Sequence, residues 1–416
     1  MNDLEALLAR VPEYREFFTL EELQTRSQRL GAEFPGLIRR EIVGASAEGR
    51  PIELVTVGHG RTPVLLVGVP HPNEPIGTLT VDFLCRLLCE DATLRARLDI
   101  TLHAVQVADP DGYVLNEGWF KGIFSPLRYA LNYYRPPHRE QVEWSFPVDY
   151  KTLRFTTPAP ETAAIMRVME RVRPRVFYSL HNAGFCGVYF YVSRERPELF
   201  SRLHRLVASQ GLPLHRGEPE VPYLRTLAPA IYALFGIDAT YEYLARTLGE
   251  DPAAVIEAGT SSDDWLARVG EAFSLVCELP YYTAPALEDT GPAGRTRRDA
   301  VLAGAARAAA LLAERAEAEM PSYDREATRA EALDATVCKP FNHMLYLGEV
   351  YRLAEIVGEH ALASRLHARL ADIAADIEQE SALRVLPLRP LVAIQAGAGL
   401  LALDLPIDSL ARVGSG

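Results

Sequence analysis

His71 and Glu74 stand three residues apart in GVPHPNEPIG, a spacing that lets an imidazole and a carboxylate converge on one metal ion. They directly follow residues 64–70, a β-branched and leucine-rich run of the kind that forms a strand buried on both faces. Ligands at the carboxyl end of such a strand open onto the crevice where α/β sheets bind their ligands. His181 ends a second apolar strand, residues 175–181, and is expected on the same edge. Two nitrogens, one oxygen and an open fourth position are the donor set of a hydrolytic zinc site. An isolated H-x-x-E also occurs in many proteins that bind nothing, so the pair counts only with its company.

Glu278 is part of that company. In FSLVCELP, Phe273, Leu275 and Cys277 alternate with Ser274, Val276 and Glu278. A carboxylate ending an apolar strand is costly unless it is paired or used. Desolvation would raise its pKa, which suits a general base that deprotonates a metal-activated water and then protonates a leaving amine. A salt-bridged structural glutamate is the alternative.

Together these residues resemble the zinc carboxypeptidase family, the carboxypeptidase A superfamily. The resemblance covers about residues 14–315 and runs in order through FTLEELQTRSQRLGAEFPGLI, IVGASAEGRPIELVTVG, HPNE, DPDGY, APET, SLHN, GTSSDDW and VCEL. It implies hydrolysis of an amide with one zinc ion per chain, held by His71, Glu74 and His181, and with Glu278 as the base; this is the ligand set known in carboxypeptidase A. The chain departs from the family in three places. Where the family has Trp followed by a carbonyl-polarising arginine, this chain reads Trp119, Phe120, Lys121, so Lys121 or Arg128 is expected to supply the charge. The Asn-Arg pair that grips a terminal carboxylate falls on Asn132 and Tyr133, with Arg135 nearby as a substitute. The active-site tyrosine aligns with Ile256. Asp263 matches a pocket-floor position where an acid selects basic side chains in some relatives; capping of the helix containing Trp265 is the other reading.

Positioning these groups requires a sheet. Residues 19–34 read as a helix, with Thr19 as cap and Glu22 three residues on. IRREIVGASAEGRPIELVTVGHG reads as two strands joined at Glu48-Gly49, followed by the 64–70 strand, a helix over 78–89 and a strand over 100–107. Residues 114–157, rich in aromatics and prolines, read as an irregular, substrate-facing stretch that includes Tyr134, Trp144 and Phe146. A helix over 160–172, the strand ending at His181, GVYFYVS and the strand 273–279 complete the set. The expected fold is α/β: a mixed, largely parallel twisted sheet with helices on both faces, zinc carboxypeptidase-like, over residues 1–320. Beyond a break at Pro321 only helical patterns follow, so residues 321–416 are expected to form a C-terminal helical domain, as an oligomerisation surface, a lid or padding.

The 416 residues carry a formal charge of -12, which argues against nucleic-acid or anionic-membrane partners. The start of the chain does not read as a signal peptide, no apolar run is long enough to span a membrane, and the five cysteines show no paired metal spacing; the expected compartment is the cytoplasm. No phosphate-binding glycine loop is present. The leading expectation is a zinc amide hydrolase acting on a short peptide or peptide-like metabolite. The alternatives are an N-acyl-amino-acid deacylase resembling the aspartoacylase branch, whose ligand segment also reads like HPNEPIG, and an inactive binding protein that keeps the fold.

Overall fold

The computed structural model describes residues 2–217, 219–301, 303–304 and 326–404; the break expected at Pro321 lies outside them. Nine of the described strands form one sheet: β1 (Ile38–Ala45), β2 (Pro51–Val57), β3 (Thr62–Gly68), β4 (Ile100–Val105), β5 (Val176–Asn182), β6 (Tyr189–Val192), β7 (Thr226–Ala228), β8 (Ile231–Ala233) and β9 (Phe273–Leu279). Their order is β1-β2-β4-β3-β5-β9-β6-β8-β7. The run β4-β3-β5-β9 is parallel, as is β6-β8, while β1-β2, β2-β4, β9-β6 and β8-β7 are antiparallel. This is the mixed, largely parallel sheet expected from the sequence.

The helices that bear on the site are α1 (Leu20–Glu33), α2 (Ile76–Glu90), α3 (Pro126–Asn132), α4 (Pro160–Val172), α5 (Pro197–Ser209), α6 (Ser262–Val269), α7 (Lys339–Val357), α8 (His360–Ser381) and α9 (Leu388–Leu403). Thr19 and Glu22 close the capping box of α1, each side chain accepting the other's amide hydrogen. Alternate residues of β3 divide between two apolar layers. Val64 and Leu66 pack into one core with α2, α5 and α9, and Leu65 and Val67 into another with α4 and α6. Gly77 lets α2 lie directly on β5, because a Cβ there would sit 2.8 Å from the Leu180 Cβ.

Residues 114–157 are more ordered than their composition suggests. They hold α3, which starts at a Ser125 cap, and a hairpin of Val148–Tyr150 with Leu153–Phe155. Elements of seven and three residues are too short to print a periodicity in the sequence.

The described part of residues 321–416 shares the main core. Leu391, Val392, Ile394 and Leu401 of α9 are buried in the same cluster as α2 and the central strands. We propose that this segment, set apart in the sequence as a helical domain, depends on residues 1–320 for its core. Gln395, fully buried in the middle of α9, donates to the backbone carbonyl of His181 at 3.0 Å and accepts from the Thr80 hydroxyl at 2.8 Å. Replacing it by Leu strands both groups, and each such orphan costs about 1–3 kcal/mol. We expect Gln395→Leu to unfold several degrees below the wild type in calorimetry; an unchanged midpoint would contradict this coupling.

Candidate metal centre

The carboxyl ends of β3, β5 and β9 converge. The parallel register sets Glu278 directly beside His181, and Leu180 beside Gly68, three residues before His71. The turn between β3 and α2 is held in a costly shape: Val69, β-branched and fully buried, has φ 54° in the left-handed region. Asn182 ties this turn to β5, its side-chain oxygen accepting from the Ile76 amide at 3.1 Å. The Tyr281 hydroxyl donates to the Asn73 carbonyl at 2.8 Å.

His71, Glu74 and His181, all buried, thereby bring one ligand atom each to within 4.8 Å of one another. His181 Nδ1 lies 3.0 Å from Glu74 Oε2 and 3.8 Å from Glu278 Oε1. Its Nε2 points the other way, bonded to the Ser179 hydroxyl at 2.9 Å and 3.8 Å from Glu143. Glu143, buried, is itself fixed by the amide and hydroxyl of Ser262 at 3.0 and 2.7 Å. A carboxylate behind the far nitrogen is the outer support that metal-binding histidines use to fix their tautomer. Sequence reasoning missed Glu143, although an acid between Val142 and Trp144 carries the same signal that singled out Glu278.

The centre fits a zinc ion on three observations. His71 Nδ1 is buried with no hydrogen-bond partner. Burial, reinforced by the charge of Arg135, holds His71 well below its ordinary pKa, so its imidazole is neutral and able to ligate. Three carboxylates, Glu74, Glu143 and Glu278, are buried around His181. Burial opposes protonation of His181, but Glu143, Glu74 and Glu278 outweigh it and push the pKa well up; a divalent cation would answer the same excess of negative charge. Burial also pushes Glu278 well above the usual carboxylate range, against the opposing pull of His181.

The supporting residues expected from the sequence divide. Arg135 reaches the centre: its guanidinium donates to Glu74 Oε1 at 3.2 Å and to Gln141 at 3.1 Å, and its amide to Glu349 of α7 at 2.9 Å. Tyr133, Tyr134 and Trp144 line the same cavity of about 940 Å3. Lys121 does not border it and pairs with Glu22 at 2.7 Å instead. Arg128 is spent on the carbonyl of Gly118. Asn132 donates to the Arg128 carbonyl at 2.9 Å, Ile256 packs against the Val148–Tyr241 cluster, and Phe146 is core. Asp263, pushed up to about 6 by burial, lies beside Ser274, away from the cavity lining, and Ser261 is the residue that caps α6. For all of these the motif alignment located the segment but not the direction of the side chain.

A zinc carboxypeptidase family model matches residues 24–284, well over half of the chain. The chain belongs to the zinc carboxypeptidase family. It is therefore a zinc-dependent metallopeptidase. Among solved structures it is similar to carboxypeptidase A of Helicoverpa armigera, at 14% identity over 89% of this chain and 78% of that one, with a TM-score of 0.43. A Shewanella amazonensis SB2B protein inferred to be a metallopeptidase is 14% identical over 63% of this chain and 84% of its own, with a TM-score of 0.42. Bovine thrombin-activatable fibrinolysis inhibitor is 13% identical over 63% and 86%, with a TM-score of 0.38. Likenesses this low carry no argument of their own, and the family membership rests on the matched residues. No curated protein matches the chain.

Proposed function

We propose that this zinc carboxypeptidase cleaves the amide bond of a short peptide or peptide-like metabolite, with His71, Glu74 and His181 holding one zinc ion and Glu278 as general base. The observation that carries the reading is the convergence of three ligand atoms within 4.8 Å of one another, with Glu278 on the adjoining strand facing the same cavity. When bound, zinc polarises a carbonyl and lowers the pKa of a water. Glu278 then takes the proton of the attacking water and passes it to the leaving nitrogen. Arg135 sets a fixed positive charge beside the ligand Glu74, where it can draw on the scissile carbonyl oxygen. Residues of α7, among them Asn342, Leu345 and Glu349, wall the cavity, and about 940 Å3 suits a small substrate.

The five cysteines are buried as free thiols, which suits a reducing compartment, and we place the enzyme in the cytoplasm. Among the described residues no helix is long and apolar enough to cross a membrane. A panel of blocked dipeptides, tripeptides and N-acyl amino acids, assayed with and without chelator, tests the reaction. Chelator-sensitive turnover of the peptides is expected. Turnover of N-acyl amino acids alone would replace the reading with a deacylase, and none at full zinc loading would replace it with a binding protein.

A further inference from the structure

One end of the cavity is built from β6, β8 and the loop before β7, and its chemistry is acidic and aromatic. The strand register sets Tyr189 beside Glu278, in the row that carries His181, while Tyr191 beside Val276 and Tyr232 beside Tyr191 form the next row on the same face. All three rings are buried and border the cavity, with centroids 5.7–6.2 Å apart. The Tyr189 hydroxyl donates to Glu220, whose carboxylate also borders the cavity and has no basic partner among the described residues. Tyr191, 5% exposed, sets its hydroxyl close to the Glu220 carboxylate, which with burial pushes its pKa up, and among the described residues no other partner satisfies that oxygen.

Other charges at this end do not neutralise Glu220. Lys339 and Asp334 also border the cavity, and their charges act on Cys186 with opposite sign. His215, against the Tyr189 ring, is held below its ordinary pKa by burial and adds no charge at neutral pH. What remains is one carboxylate and three electron-rich rings beside the general base. An ammonium or guanidinium group meets both needs of such a surface: it pairs with the carboxylate and lies against the ring faces. The Tyr191 oxygen, beside Glu220, keeps lone pairs that can accept one of its N–H groups.

We propose that this end of the cavity binds a cationic group of the substrate, and that Glu220, with Tyr189, Tyr191 and Tyr232, makes the enzyme selective for a basic side chain next to the scissile amide. The proposal names the substrate class of the site assigned above and rests on that assignment. Matched peptides carrying lysine or norleucine at that position separate the two. We expect the wild type to favour lysine in kcat/KM by about 10-fold or more. Glu220→Gln should cut that ratio about 10-fold with little change on norleucine, and Glu220→Lys should reverse the preference. Equal ratios in wild type and Glu220→Gln would overturn it. If neither peptide is turned over, the reaction assignment fails and the subsite is read separately, by calorimetry with n-butylguanidinium. Binding to the wild type that Glu220→Gln weakens about 10-fold supports the subsite, whereas absent or unchanged binding overturns it.

Discussion

Glu278→Gln retains one zinc ion per chain and loses about 10²–10⁴-fold in kcat. The substitution keeps the shape of a side chain buried at the end of β9, so the sheet and the neighbouring ligand His181 stay in place. What it removes is a group able to accept a proton. Burial raises the pKa of Glu278, so the wild-type rate should climb with pH as that carboxyl deprotonates, and this acidic limb of the kcat/KM profile should vanish in the variant. Steady-state rates with metal analysis on the same samples read both effects. Full activity in Glu278→Gln would take the residue out of the mechanism.

Arg135→Gln is expected to lower kcat/KM by about 10²–10³-fold, chiefly through kcat. The guanidinium is held by Glu74 and Gln141, and the backbone amide of the same residue by Glu349, so the side chain is pre-aimed at the space beside the metal ligands. The other arginine in the lining, Arg352, is committed to the carbonyls of Asn132 and Tyr133 at the end of α3 and to that of Leu115. Peptides with free and amidated termini separate two roles. A loss in kcat on both means that Arg135 polarises the scissile carbonyl, whereas a rise in KM on the free acid alone means that it grips a carboxylate. A variant within twofold of wild type on both substrates would leave Arg135 a structural partner of Glu74.

The metal centre was legible because its physics is local. Its residues end, or directly follow, strands whose burial is written in their apolar runs, and a polar group at such a point is either satisfied or put to use. The substrate-facing parts were not legible for the opposite reason. Lys121, Arg128 and Asn132 lie where short turns and a seven-residue helix decide direction, and spacing within a motif does not report which way a side chain points. Asp263 is a similar case: in the first turn of α6 it lies beside Ser274, while Ser261 and not Asp263 borders the cavity. The role of residues 321–416 could not be read from amphipathic pattern alone. Only the fold brings α7 over the cavity and sets Gln395 of α9 against the backbone of His181. Gly348 carries a related message, since a Cβ there would meet the Ala130 carbonyl at 1.9 Å, so α7 and α3 can lie this close only with glycine.

The most direct measurement is an anomalous difference map collected on either side of the zinc absorption edge from crystals of protein loaded with one equivalent of zinc. The expected map has one strong peak, about 2.0–2.2 Å from His71 Nδ1, a Glu74 carboxylate oxygen and His181 Nδ1. Zinc found elsewhere, or no peak at these three side chains in fully loaded protein, would contradict the assignment of the centre and the chemistry built on it.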